Sequence, residues 1–437
     1  MYYSFDNPMT RKKFIKEKLD KIGAETGDRI LIETKYTKKQ GVLMPHHQFS
    51  DADVINIKLD NGYNIGISLD KDAKIKLIKK HETVVKKPKE IPFDKSKPTV
   101  SVIGTGGTIA CYVDYRTGAV HPASSAKDLA FSVPEAFDIC NFKTQVAFQI
   151  LSENIEVSHW KELAKEVAKE LNSGSVGVII PHGTDTMGYT GAALSFMLKN
   201  LSGPVVLVGA QRSSDRPSSD AAQNLIAAAT VASETDIGEV VAVMHEEISD
   251  TTSSIHRGTK IRKFHTSRRD AFKSVNDIPI GAVDKTDIKF NKEYQKKTKK
   301  KVTVDDKIET DVAMIYSYPG LKPEDIPEKK GVLLIGTGLG HVPKKIIPRI
   351  KELRAKGTIF AMTSQCLFGR VNMKVYSTGR DLLKTGIIPC EDMLPETAYV
   401  KLMWALGHST KRDEVEDIMK TNISGEMTDR TRSDVFL

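Results

Sequence analysis

The sequence predicts an α/β protein: two doubly wound parallel-sheet units preceded by a small N-terminal β-barrel module. Three observations lead there. From Thr99 onward, short β-branched runs alternate with helix-like stretches, the order that builds a parallel sheet covered by helices. Two loops rich in glycine and threonine, Gly104-Thr105-Gly106-Gly107-Thr108 and His182-Gly183-Thr184-Asp185-Thr186, each follow such a run. Open α/β sheets bind ligands in the crevice beyond their strand ends, where both loops fall. Before Thr99 the pattern differs, with several short strands crowded together and then a stretch rich in Lys and Pro.

The chain reads in order as five segments. Residues 1–78 form a short amphipathic helix, marked by Phe14, Leu19 and Ile22, and then a small barrel of SH3-like type. Its strands are Ile30-Leu31-Ile32, Gly41–Met44, the alternating Val54–Leu59, and Tyr63–Ile67 beyond the turn signal Asp60-Asn61-Gly62. Residues 79–98 are a basic linker. Residues 99–282 form the first α/β unit. In it His159–Leu171 carries Trp160, Leu163, Val167 and Leu171 on one helical face, and Ser218-Ser219-Asp220 can cap the Ala-rich helix Ala221–Ala232. Residues 283–310 are a polar, lysine-rich connector. Residues 311–437 form the second unit, with strands at Val312–Tyr316, Gly331–Ile335 and Gly357–Met362 and helices at Thr397–Leu406 and Asp413–Met419.

Composition narrows the class. Charged residues make up 28% and hydrophobic residues 40% of 437, as in globular proteins. No apolar run approaches the ~20 residues of a spanning helix, and the first residues lack the pattern of a secretory signal. The expectation is a cytoplasmic protein. The four cysteines, Cys111, Cys140, Cys366 and Cys390, are far apart and predict free thiols rather than a disulfide or zinc framework. The formal charge of +9 is compatible with a polyanion partner, and equally with a solvated surface.

The familiar motifs fail on inspection. Gly104-Thr105-Gly106 would need glycine at Ile109 to complete a dinucleotide fingerprint, and Gly336-Thr337-Gly338 would need one at His341. No P-loop ending is present, His245-Glu246-Glu247 lacks the second histidine of a zinc protease, and no nucleophile elbow occurs. His182, at a strand end, reads as a packed histidine more readily than as a catalyst. Chemistry therefore falls to threonines and charged helpers, although Thr184-Asp185 alone would equally serve as a helix cap.

Thr105-Gly106-Gly107-Thr108-Ile109, with His182-Gly183-Thr184-Asp185-Thr186-Met187 downstream, resembles the bacterial-type asparaginase/glutaminase amidohydrolase family. Ser152-Glu153-Asn154, Gly209-Ala210-Gln211-Arg212 and Lys263-Phe264-His265 add to the likeness, which covers about residues 99–425. The resemblance implies Thr108 as nucleophile of an acyl-enzyme, with Tyr115 helping to activate it and Tyr112 a rival for that role. Thr184, Asp185 and Lys263 would form a second constellation, in which a lysine of lowered pKa relays protons. Asp185 and Glu153 would hold a substrate α-ammonium and Ser152 its α-carboxylate. Backbone N–H groups of the loops at Gly107 and Gly183 would meet the oxyanion. Which threonine attacks first stays open.

The added β module and basic linker resemble the glutaminase subunits of archaeal tRNA-dependent amidotransferases. That resemblance implies hydrolysis of glutamine to supply ammonia for converting Glu-tRNA(Gln) to Gln-tRNA(Gln). It also implies a partner E subunit that binds the tRNA(Gln) and uses ATP and Mg, no metal or cofactor in this chain, no membrane, and a homodimeric core. In that core a segment such as Glu391–Thr397 would complete a neighbour's site, and the loop 111–120 would act as a lid. The alternatives are a free-standing cytosolic L-asparaginase and a non-catalytic RNA-binding scaffold.

Overall fold

The computed structural model describes residues 13–45, 53–60, 64–81, 93–106, 111–113, 120–122, 133–212, 219–248 and 251–435. The first module is a helix, Lys13–Lys21, laid against a five-stranded antiparallel sheet. From edge to edge the sheet runs Asn64–Ser68, Val54–Lys58, Lys38–Leu43, Arg29–Glu33 and Lys74–Lys79. Ile15 and Leu19 of the helix meet Ile30, Ile32, Leu43, Ile55, Ile57 and Ile67 in one core. Each such side chain contributes about 1.5–3 kcal/mol when removed from water. The expected barrel is an open sheet over the described residues, where no ladder joins its two edge strands. The expected turn at residues 61–63 lies outside the described residues, but the strands it joins pair in antiparallel register, Lys58 opposite Asn64.

The first α/β unit is an eight-stranded sheet. Its order is Asp287–Phe290, Gly281–Asp284, Thr252–Arg257, Val240–His245, Val205–Val208, Gly177–Pro181, Thr99–Gly104, Asn141–Val146. The last five are parallel neighbours, as expected. The first three are antiparallel, so the sheet is mixed. The predicted boundary at residues 282/283 therefore falls inside a strand. The outermost strand, Asp287–Phe290, reads as connector because an edge strand open to solvent loses its apolar alternation.

Period-two alternation divides the strand residues between two cores. Ile103, Val178, Ile180 and Leu207 pack on one face against helices Val157–Asn172 and Met187–Met197. Val102, Ile179, Val206 and Val208 pack on the other against helix Ala221–Glu234. Trp160, Leu163, Val167 and Leu171 are buried as the periodicity predicted. Of the expected caps, Ser219 Oγ accepts from the Ala221 N–H at 3.2 Å, whereas Asp220 does not cap its helix through its side chain. Its carboxylate instead accepts from the backbone N–H of Gln211 and Arg212 and from Asn224 Nδ2. A charge at the helix start has been taken by the neighbouring loop, whose orphan donors lie closer.

The second unit is a four-stranded parallel sheet, Val312–Tyr316, Gly331–Gly336, Ile359–Ser364 and Ile388–Pro389. Helix Pro395–His408 packs on helix Met187–Met197 of the first unit, with Trp404 stacked on Phe196 at 6.1 Å. A buried ion pair, Lys260 Nζ to Asp392 at 2.8 Å, and a hydrogen bond from Thr397 Oγ1 to the Thr259 carbonyl join the same two units. No helix among the described residues is long and apolar enough to cross a membrane. Cys140, Cys366 and Cys390 are free thiols, as expected.

Candidate active site

The two threonine loops lie side by side because their strands are parallel neighbours, Val100 opposite Gly177 and Val102 opposite Ile179. Thr105, buried at the end of the first strand, donates through Oγ1 to the Pro181 carbonyl at 2.7 Å. That carbonyl directly precedes the second loop. Gly106 has φ +102°, and a Cβ there would stand 2.3 Å from the Ile150 carbonyl oxygen. Only glycine fits such a backbone crossing. Thr108, Gly107 and Tyr115 lie outside the described residues. The strands flanking Tyr115, Cys111–Val113 and Val120–Pro122, pair as an antiparallel hairpin.

In the second loop the expected constellation is assembled. Lys263 Nζ donates to Thr184 Oγ1 at 2.8 Å and to Asp185 Oδ1 at 2.8 Å. Lys263 ends the strand Ile261–Lys263, whose hairpin partner is Phe272–Ser274. Its side chain is 16% exposed while that of Asp185 is 67% exposed. The largely covered ammonium therefore sits between a half-buried hydroxyl and an exposed carboxylate. Neither Thr184 nor Asp185 caps a helix. The N-cap of Met187–Met197 is Thr186, and it makes no cap hydrogen bond. Thr186 Oγ1 donates instead to the Ser152 carbonyl at 2.8 Å.

That bond brings the Ser152 segment to the loop. Ser152 is buried and begins a short 3-10 turn, Ser152–Asn154, in which Glu153 is exposed. A Cβ on Gly183 would lie 2.5 Å from the Ser152 Cβ and 2.7 Å from its Oγ. Gly183 therefore sets the distance between the two segments. Gly209 closes the other side: a Cβ there would meet Thr184 Cγ2 at 2.8 Å. Asn224 Nδ2 donates to the Gly209 carbonyl at 2.9 Å, and His245 Nδ1 bonds Asn224 Oδ1 at 2.6 Å. This layer holds Thr184 by backbone contact. Of its members only Gly209 stood out in the sequence, as part of the family likeness, because Asn224 and His245 look like ordinary core.

His182 is the packed histidine that the sequence suggested. It is fully buried, and its Nδ1–H donates to the Gly183 carbonyl at 2.6 Å. Burial lowers its pKa to about 4, against the opposing pull of that carbonyl. Thr184, Asp185 and Lys263 line a cleft of about 350 Å³ together with Tyr189, Phe264 and Glu396. Tyr189 had no role in the sequence reading, and Glu396, from the segment expected to serve a neighbour's site, lines the cleft of its own chain. Glu396 pairs with Arg262 at 3.0 Å, and burial raises the Tyr189 phenol to about 12. No group of His, Cys, Asp and Glu among the described residues could hold a metal ion.

A covered lysine joining a threonine hydroxyl to a carboxylate, beside a Gly-Thr loop on a doubly wound sheet, defines an asparaginase/glutaminase-type amidohydrolase. Residues 99–296 match the family described as Asparaginase, N-terminal, and residues 311–419 match the Glutaminase/Asparaginase C-terminal domain. The thermostable L-asparaginase from Thermococcus kodakarensis superposes with a TM-score of 0.69 at 31% identity, covering 76% of this chain and 99% of that one. L-asparaginase I from Vibrio cholerae gives 0.66 at 28%, covering 76% and 99%.

Residues 24–78 match the GatD N-terminal domain. The D subunit of the Pyrococcus furiosus glutamyl-tRNA(Gln) amidotransferase is 52% identical over 98% of this chain and 100% of its own length. Its counterpart from Methanothermobacter thermautotrophicus is 46% identical over 94% and 96%. The chain belongs to the family of glutamyl-tRNA(Gln) amidotransferase D subunits.

Proposed function

We propose that this chain hydrolyses the side-chain amide of glutamine and passes the ammonia to a partner E subunit, which uses ATP and Mg to convert Glu-tRNA(Gln) to Gln-tRNA(Gln) in the cytoplasm. The observation that carries the site is the bridge from Lys263 Nζ to Thr184 and Asp185. In this reading a threonine oxygen attacks the amide carbon, and its proton passes with the help of a tyrosine to the departing nitrogen. The C–N bond breaks, ammonia leaves, and a threonine ester remains. Water activated by the Lys263–Thr184 pair then breaks the ester, returning the hydroxyl and releasing glutamate.

Thr108 is proposed as the nucleophile and Tyr115 as its helper. Thr184 and Lys263 then serve deacylation. Asp185 and Glu153 hold the substrate ammonium, Ser152 its carboxylate, and the backbone at Gly107 and Gly183 the oxyanion. The charge fits: Asp185 and Glu153 are exposed carboxylates beside a loop whose own cation, Lys263, is covered. A pair of variants tests the assignment. Thr108→Ala stops acyl-enzyme formation, whereas Thr184→Ala lets the ester accumulate, where mass spectrometry of the intact chain detects it. The opposite pattern exchanges the two roles. Fast ammonia release from asparagine in preference to glutamine would instead make the chain a self-sufficient asparaginase.

A further inference from the structure

Charge is distributed unevenly along this chain. Residues 1–98 hold 21 Lys and Arg against 14 Asp and Glu, a net +7, whereas residues 99–437 hold 44 against 42, a net +2. The excess belongs to the part of the molecule that contributes no residue to the site.

Residues 79–98 carry +4 of that excess and residues 1–78 the other +3, and the sheet of the first module sets several of its lysines on one face. Ile30, Ile32 and Ile75 point into the core, so the residues alternating with them point outward. Register then places Lys74, Glu33 and Lys38 in one outer row and Lys76, Leu31 and Gln40 in the next. Arg29 and Lys79 stand opposite each other in a third, across a register shift, with Arg29 already paired to Asp60. Lys38, Lys74, Lys76 and Lys79 are all exposed. Among the described residues, Lys74, Lys76 and Lys79 make no ion pair, and Lys38 reaches Glu33 only at 3.8 Å. A rim of other polar groups is present, because the turn between the two central strands exposes Lys35 and Tyr36, the latter 87% exposed with the Lys35 ammonium 5.7 Å from its ring centre. Unpaired lysines along adjacent strands, with an exposed aromatic ring at one end, suit a phosphate backbone. A contact lacking anionic groups would leave several cations desolvated without partners.

We propose that the outer face of this sheet is a docking surface for the phosphate backbone of the tRNA. The inference rests on the reading of the chain as part of a tRNA-dependent amidotransferase. It assigns the N-terminal module a task separate from amide hydrolysis: holding the nucleic acid to the glutaminase subunit by charge, without reading its sequence. Such contacts position a nucleic acid and carry no base information.

The test uses the full chain and unacylated tRNA(Gln) transcript, with binding followed by fluorescence anisotropy across a series of salt concentrations. The variant K38Q/K74Q/K76Q/K79Q should weaken binding at low salt by at least about tenfold. It should also make the slope of log affinity against log salt shallower by about two to three, near 0.9 per lost phosphate contact. The control K289Q/K299Q/K300Q/K301Q, which neutralises exposed lysines of the body, should leave both unchanged. Ammonia release from glutamine should be the same in all three proteins, so failure here is distinguishable from failure of the glutaminase reading. Equal weakening by the two variants, or none by the first, would overturn the proposal. So would unchanged tRNA affinity together with loss of co-elution with the E subunit, since the face would then be a protein contact.

Discussion

The two α/β units each end a central parallel strand in a glycine-threonine loop, yet in only one of these two does a lysine reach the threonine. Gly183-Thr184 follows Gly177–Pro181, and Gly336-Thr337-Gly338 follows Gly331–Gly336. In the first unit Thr184 meets Lys263, brought from a hairpin about eighty residues away in sequence. In the second, Thr337 Oγ1 donates to the His341 carbonyl within its own loop at 3.3 Å, and the Thr337 and His341 backbones bond to each other. A threonine after a strand is thus a turn residue by default. It meets a charged partner only when another element delivers one to its hydroxyl, as the hairpin of Lys263 does here.

Replacement of the partners in the first loop should have the largest effect. Thr184→Ala and Lys263→Met should each lower steady-state ammonia release by roughly a thousandfold, equivalent to about 4 kcal/mol. Their thermal unfolding should match that of the parent. Release within tenfold of the parent would show that the bridge is structural.

The next prediction concerns the joint between the units. Lys260→Met leaves Asp392 buried without its cation, and breaking such a pair costs about 3–5 kcal/mol. Urea unfolding should report that loss. Asp392 also accepts from Thr428 Oγ1 and N–H, so the segment around Thr428 should loosen as well. A change below about 1 kcal/mol would mean that these two bonds satisfy the carboxylate alone.

His182 gives a pH signature. Its folded pKa of about 4 lies below the ordinary histidine value near 6.5, so the unfolded chain binds the extra proton first. Stability should be full above pH about 6.5 and fall as pH drops toward 4, by roughly 3 kcal/mol from this group. His182→Asn should flatten that part of the stability profile, read by urea midpoints from pH 4 to 7 (about one unit apart). An unchanged slope would place the acid sensitivity elsewhere, with the buried His256 the next candidate, its pKa lowered by burial to about 3.

The smallest effect sharpens the opening contrast. Thr337→Ala should change ammonia release by less than about threefold, because its hydroxyl serves its own turn, a bond worth about 1 kcal/mol. A loss comparable to that of Thr184→Ala would mean that the second loop reaches a site on another copy of the chain, which ultracentrifugation and mixed-variant complementation would then locate.

By itself the sequence determined the alternation of strands and helices, since hydrophobic period is a local property. It marked both threonine loops for the same reason: glycine next to a strand end is a local demand of the backbone. Through family resemblance it also placed Thr184, Asp185 and Lys263 together, and the structure brings them to bonding distance. What it left undetermined depends on contacts between distant segments. The antiparallel edge at Gly281–Phe290 was hidden because a solvent-facing strand carries a polar sequence. The role of Asp220 was misread because two loop N–H groups, unknown from local sequence, compete for its carboxylate. The bonds from Asn224 and His245 that hold Gly209 behind Thr184 were invisible, as was Tyr189 in the cleft, since each becomes part of the site only when the strands stand in register. Local backbone and burial preferences are written residue by residue, whereas the distance between a lysine and a hydroxyl is set only when the whole sheet closes around them.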